Sequence, residues 1–216
     1  MKNAKTELVF ILDRSGSMDH LTEDTIGGFN AMIDRQKRAG GKCLVTTVLF
    51  DTRFQRLHDR VPLVRVKPMT RSDYCPGGCT ALLDAVGDTI RHISDIHRYA
   101  RPRDVPENVL FVITTDGLEN ASCRYSREQV RRMVSLQQEK YGWQFIFLGA
   151  NIDAFSAAGD IGISPRMSTN FMADGQGMAL GFESVDRAVS YARRSAPIAM
   201  DWKADVEADF DARSED

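Results

Sequence analysis

Leu8-Val9-Phe10-Ile11-Leu12-Asp13-Arg14-Ser15-Gly16-Ser17-Met18 is the stretch that decides the fold. Five apolar residues run without a polar interruption, which predicts a strand buried on both faces, as in a parallel sheet. The run ends on a carboxylate, and two hydroxyls follow at alternate positions. Oxygen donors of this kind suit a hard cation such as Mg²⁺.

Working outward, strands and helices alternate. A helix is predicted from about Thr22, with Ile26, Phe29, Met32 and Ile33 on one face and Gly40-Gly41 as its stop. Cys43 to Phe50 reads as a second strand. Asp51-Thr52-Arg53 reads as a tight turn into a third strand, Phe54 to Leu57, antiparallel and therefore at a sheet edge. Val61 to Gly78, with three prolines, reads as irregular. A second helix is predicted from near Thr80, with Leu83, Val86, Ile90 and Ile93 as its buried stripe. Asn108 to Thr115 reads as a buried strand. Ser126-Arg-Glu-Gln129 is a capping box opening a third helix. Further elements are expected at Phe145–Leu148 (strand), Asp153–Ala158 (short helix), Met167–Phe171 (strand) and around Met178, Phe182, Val185 and Val189 (helix). The pattern predicts an α/β, doubly wound, Rossmann-like fold: a mostly parallel sheet with one antiparallel edge strand and helices on both faces.

The composition is that of an ordinary globular chain: 216 residues, 43% apolar, 27% charged, formal net charge −2. This balance gives no general attraction to nucleic acid or to an anionic membrane. No apolar run approaches the roughly 18 residues that span a bilayer. The opening Met-Lys-Asn-Ala-Lys leads into a strand without a separate apolar signal region. Four cysteines, Cys43, Cys75, Cys79 and Cys123, are irregularly spaced and read as reduced thiols. The expected location is cytoplasmic. Seven acids against two bases fall between Ser195 and Asp216. The expected division is a domain over 6–195 and an acidic C-terminal tail over 196–216. That tail reads as a solvated arm or as a segment lying in cis on a basic face.

In a doubly wound sheet, ligands collect beyond the carboxyl ends of strands. Three segments can end there: Asp13/Ser15/Ser17, Gly77-Gly78-Cys79-Thr80, and Thr114-Thr115-Asp116-Gly117. At these residues the chain resembles the von Willebrand factor type A (vWA) domain family, in particular its stand-alone bacterial and phage members. That family carries a metal-ion-dependent adhesion site (MIDAS) of the form Asp-x-Ser-x-Ser, then Thr, then Asp. The pattern is matched here at Asp13, Ser15, Ser17, Thr80 and Asp116, and the resemblance covers about residues 6–195.

The resemblance implies that Ser15 and Ser17 ligate a cation directly, that Thr80 does so in at least one state, and that Asp13 and Asp116 neutralise it. The ion is expected to be Mg²⁺, with Mn²⁺ and Ca²⁺ as alternatives. It further implies a non-enzymatic protein-interaction module whose partner supplies an Asp or Glu carboxylate. Two other readings stay open: a metal-dependent enzyme or regulatory component of a tellurite-resistance-like stress phospho-signalling system, and an accessory subunit of an AAA+ ATPase. The sequence sets no oligomeric state.

Other motifs weigh less. Isolated, Asp-x-Ser-x-Ser would read as a strand end and a helix cap. Asp13 as a phosphoryl-transfer nucleophile lacks its second acid, because Ser15 stands where haloacid-dehalogenase-like enzymes have Asp. There is no Gly-x-Ser-x-Gly elbow and no phosphate-binding Gly-x4-Gly-Lys-Ser/Thr loop. The cysteines read as small packed thiols, with a redox cluster near the metal as the sharper alternative. His20, His58, His92 and His97 show no ligand spacing. Gly175 to Gly181 reads as a loop entering the last helix. Arg124, Arg127, Arg131 and Arg132 read as a solvated face or as an anion-attracting rim, and Arg14 as a residue able to meet a partner's acidic surface.

Overall fold

The computed structural model describes residues 5–214. Its centre is a six-stranded sheet: β1 (Thr6–Asp13), β2 (Cys43–Phe50), β3 (Phe54–Pro62), β4 (Asn108–Thr115), β5 (Gln144–Gly149) and β6 (Ser168–Asn170). The spatial order is β3-β2-β1-β4-β5-β6. All pairings are parallel except β2 with β3. The chain winds outward from β1 in one direction and then, from β4, in the other. The strand order therefore reverses between β1 and β4, which places a ligand crevice beyond their carboxyl ends.

The strands supply two cores by alternation. Leu8, Phe10 and Leu12 face the layer of α1 (Thr22–Arg38), α5 (Gly175–Arg193) and α6 (Ala204–Ser214). Val9 and Ile11 face α2 (Leu82–Tyr99), α3 (Arg127–Tyr141) and α4 (Ala154–Asp160). The expected stripes are the buried ones: Ile26, Phe29, Met32 and Ile33 on α1, and Leu83, Val86, Ile90 and Ile93 on α2. The capping box of α3 is formed. Ser126 Oγ accepts from the Gln129 N–H at 3.2 Å and Gln129 Oε1 from the Ser126 N–H at 2.7 Å. Left-handed Gly142, φ 67°, closes the same helix.

Two differences from the sequence reading have physical causes. Strand β3 runs on to Pro62, through a bulge opposite Val45–Val48, because Arg60 reaches across to a buried carboxylate. Glu7 of β1 is fully buried, and its oxygens accept from Arg60 Nε at 2.6 Å and pair with His97 Nε2 at 2.7 Å. Arg60 adopts φ +50° to do so.

The acidic tail, of which Glu215 and Asp216 lie outside the described residues, is not a solvated arm up to Ser214. A 3₁₀ turn over Met200–Lys203 leads into α6, and Trp202 and Val206 are fully buried in the α1/α5 core. Trp202 Nε1 donates to the Arg166 carbonyl at 3.0 Å, and buried Lys203 Nζ donates to the Pro165 and Ser168 carbonyls, each at 2.9 Å. The acids then pair locally, Asp205 with Arg187 at 2.5 Å and Asp209 with Arg213 at 3.0 Å. Arg213 also reaches Asp174, the N-cap of α5.

Candidate metal centre

The three segments named by the sequence meet beyond the carboxyl ends of β1 and β4. Asp13 is the last residue of β1, and Asp116 directly follows β4. The 3₁₀ turn Gly16–Leu21 carries Ser17 outward, while Ser15 stays buried beneath it. Ser15 Oγ and Ser17 Oγ share a hydrogen bond of 3.2 Å, and Ser17 Oγ donates to Asp116 Oδ1 at 2.7 Å. Thr80 closes the group from the loop before α2. A Cβ built on Gly117 would stand 3.2 Å from Thr80 Oγ1 and 3.9 Å from Ser17 Oγ. Glycine at 117 thus keeps that space free of carbon. All five expected residues come together.

Backbone bonds lace the loops in this arrangement. Gly16 N–H donates to the Gly78 carbonyl at 3.1 Å, and Gly77 N–H to the Arg14 carbonyl at 2.9 Å. Asn120 holds Thr80 on both sides. Its Oδ1 accepts from Thr80 N–H at 2.9 Å, and its own N–H donates to the Thr80 carbonyl at 3.1 Å. Glu119 accepts from Leu83 N–H at 2.8 Å and from Ser122 N–H at 2.7 Å, binding the loop after β4 to the start of α2. Asp84 does the same one turn on, accepting from the N–H groups of Cys123, Arg124 and Tyr125. Burial opposes its ionisation, but these donors outweigh it and hold the Asp84 carboxyl below its usual range.

The two carboxylates differ. Burial pushes the Asp13 carboxyl up to about 6, against the lowering influence of the Thr115 hydroxyl and the Ser15 N–H. Thr115 Oγ1 donates to Asp13 Oδ2 at 2.5 Å, Ser15 N–H donates to Oδ1 at 2.7 Å, and the Tyr74 hydroxyl donates to the Asp13 carbonyl. Asp116 Oδ2 is buried and has no hydrogen-bond partner among the described residues. An unpaired buried carboxylate oxygen is costly, and a bound cation is one way to satisfy it. The donor set, two carboxylates and three hydroxyls, fits a hard divalent ion.

Thr115, Tyr74 and Asn120 were not singled out by the sequence. Thr115 alone carried a signal, as a hydroxyl directly before Asp116.

Arg14 is engaged within the chain. Its guanidinium binds Asp51 Oδ2 and Gln55 Oε1, each at 3.0 Å. Arg124 is no free rim cation, because it pairs with Asp88 and Asp84 and lies over the Phe54 ring. Of the four thiols only Cys43 is packed; Cys75, Cys79 and Cys123 are exposed, on loops.

No family model matches the chain, and no curated protein matches it by sequence. Solved structures match it by fold. The vWF domain of the type V pili tip protein Mfa5 from Porphyromonas gingivalis superposes with a TM-score of 0.64 at 9% identity, over 91% of this chain and 98% of that one. The PilB minor pilin from Streptococcus sanguinis gives 0.63 at 11% identity, over 90% of this chain and 64% of the pilin. Proximal thread matrix protein 1 of the mussel byssus, with a zinc-occupied MIDAS motif, gives 0.56 at 17% identity, over 85% of this chain and 46% of that protein. The chain thus spans under two thirds of the last two proteins. The fold is that of a vWA domain.

Proposed function

We propose that Asp13, Ser15, Ser17, Thr80 and Asp116 hold a divalent cation, Mg²⁺ in the first instance, and that the chain is a non-enzymatic, metal-dependent protein-binding module. The observation that carries this reading is the buried Asp116 Oδ2, without a hydrogen-bond partner among the described residues, beside three converging hydroxyls. The zinc-occupied motif of the mussel protein, on the same fold, supports a divalent ion at this place.

Neutral hydroxyls outnumber carboxylates in the set, so a bound ion would keep electrophilic character toward an outside anion. The fitting anion is an Asp or Glu carboxylate on a partner protein. What the chain's own residues supply is position: Asn120 fixes Thr80, while Thr115 and Ser15 N–H fix Asp13. The one imidazole bound to the metal loop, His20, is held by backbone: Nδ1 faces the Ser17 carbonyl at 2.8 Å and Nε2 the Ala173 carbonyl at 3.2 Å.

The binding unit we assign is 6–195, with 196–214 docked on its α5 face. The four free thiols support a reducing, cytoplasmic setting. Among the described residues no helix is long and apolar enough to cross a membrane.

The test is direct. Titration calorimetry with Mg²⁺, Mn²⁺ and Ca²⁺ should show one site, lost in Asp116→Ala while the far-ultraviolet circular dichroism is kept. At an ion concentration of 100 Kd, stability should rise by about 2.7 kcal/mol. A melting temperature and heat signal indifferent to all three ions and to chelator would refute the site.

A further inference from the structure

A cavity of about 350 Å³ opens directly beside the cluster, between the loop after β4 and the loop before α4. Gly117, the neighbour of Asp116, is part of its wall, so the cavity begins one residue from the proposed cation site.

The wall carries three acids, Glu119, Asp153 and Asp160, and one base, Arg127. Both oxygens of Glu119 accept hydrogen bonds, from Leu83, Ala121 and Ser122. Asp153 caps α4 through Ser156 N–H at 3.0 Å. Asp160 pairs with Arg127 at 3.2 Å. What the wall leaves uncovered is mostly apolar: Leu118 is 63% exposed, beside half-buried Ile152 and Ala157, with exposed Asn151 and Ser156 at the edge. Its size falls at the small end of ligand pockets, about 300–1,000 Å³. That is room for one large side chain, not for a helix.

We infer that this cavity is a specificity pocket for the partner of the metal site, taking an apolar side chain that lies within two residues of the partner's Asp or Glu. The inference rests on the metal-bridged reading of the site. The occupant follows from continuity: a carboxylate at the cluster and a side chain against Leu118 come from one short loop, since residues i and i+2 of an extended segment point the same way. The surplus of acids on the rim disfavours an acidic side chain, and the mostly apolar wall favours an apolar residue over a polar one. The partner surface is therefore an extended acidic–apolar loop.

The probe is a phage library of disulfide-closed nine-residue loops with a fixed central Asp, selected on the full chain in Mg²⁺. Clones should be enriched in Leu, Ile, Met or Phe within two positions of the Asp. Their affinity should fall at least about tenfold in Leu118→Asp and be kept in Leu118→Met, with the Mg²⁺ titration unchanged in both; tenfold corresponds to about 1.4 kcal/mol. Leu118 is exposed, so neither variant should disturb folding. Mg²⁺-dependent clones without apolar enrichment, or indifferent to Leu118→Asp, overturn the pocket and leave the carboxylate reading standing. Clones that bind equally in chelator, or to Asp116→Ala, overturn that reading and the pocket with it. Self-association in sedimentation that Leu118→Asp abolishes makes a second copy the occupant, and also overturns the inference.

Discussion

Replacing Trp202 by Ala measures whether the acidic C-terminal segment is part of the folded core. The indole is fully buried in the α1/α5 layer and donates to the Arg166 carbonyl at 3.0 Å. Truncating a buried Trp to Ala costs about 3–5 kcal/mol. Part of that is the Arg166 carbonyl, which loses its donor. In a chain of this length each kcal/mol moves the melting temperature by about 2–4 °C, so a fall of roughly 6–20 °C is expected.

The segment can also come loose by itself, and then the loss saturates at its docking free energy. A lowered urea m-value together with new protease cleavage near 196–204 would mark that case. The assay is favoured by the sequence, because the only other tryptophan is Trp143. Trp143 is buried against Phe111 on the opposite face of the sheet, so in Trp202→Ala its fluorescence follows global unfolding alone. Trp202→Phe keeps most of the packing and loses the N–H donor, and should cost about 1 kcal/mol. A Trp202→Ala variant within about 0.5 kcal/mol of the parent, the range of ordinary surface changes, would refute the docked segment and restore the solvated arm.

Gly28→Ala should destabilise by about 1–3 kcal/mol in urea unfolding, because its Cβ would meet Phe182 Cδ2 at 2.3 Å where α1 crosses α5. Arg60→Met leaves the buried Glu7 carboxylate with His97 as its partner and should cost about 3–5 kcal/mol by the same measurement. Tyr74→Phe removes the donor to the Asp13 carbonyl and should cost about 1–3 kcal/mol, with weaker Mg²⁺ binding by calorimetry. Arg213 and the Gly177 N–H hold the Asp174 carboxyl below its ordinary value. Its contribution is therefore present above the unfolded-state pKa of about 4 and is lost as pH falls through the lower folded one. Parent and Asp174→Asn should differ in melting temperature at pH 7 and converge under acid; a gap that widens on acidification would contradict the pairing.

The parts of the fold that came through in the sequence are those set by short-range pattern. Uninterrupted apolar runs gave the buried strands, and 3.6-residue stripes gave α1 and α2. The candidate ligands were visible for a related reason, since each stands where a run ends: Asp13 after Leu12, Asp116 after the β4 run, and Thr80 before the α2 stripe. What stayed hidden depends on partners far along the chain. Glu7 sits in a strand as a charge, and only Arg60, 53 residues on, and His97, 90 residues on, make its burial tolerable. Arg14 looked free because Asp51 and Gln55 lie beyond a helix and a strand. Thiol burial propensity misled for Cys75, Cys79 and Cys123, because loop position outweighs an average tendency. The tail looked solvated because its acids are many, whereas Trp202 and Val206 decide its place.

The site's supports are mostly backbone, and this bears on its action. Gly16 with Gly78, Arg14 with Gly77, and Thr80 with Asn120 are joined through main-chain groups that a cation does not compete for. The hydroxyls of Ser15, Ser17 and Thr80 are therefore brought together by bonds other than those a cation would use. Folding then bears the cost of ordering the loops, and little of an ion's binding free energy need be spent on it. The Ser17–Asp116 hydrogen bond can persist beside an ion, because it uses the Ser17 proton and Asp116 Oδ1 and leaves the Ser17 lone pairs and Asp116 Oδ2 for the ion. Ser17 is the exposed member of the set, whereas Asp13 is locked from beneath by Thr115 and Asp116 is buried. Adjustment on binding is therefore expected at Ser17 rather than in the sheet.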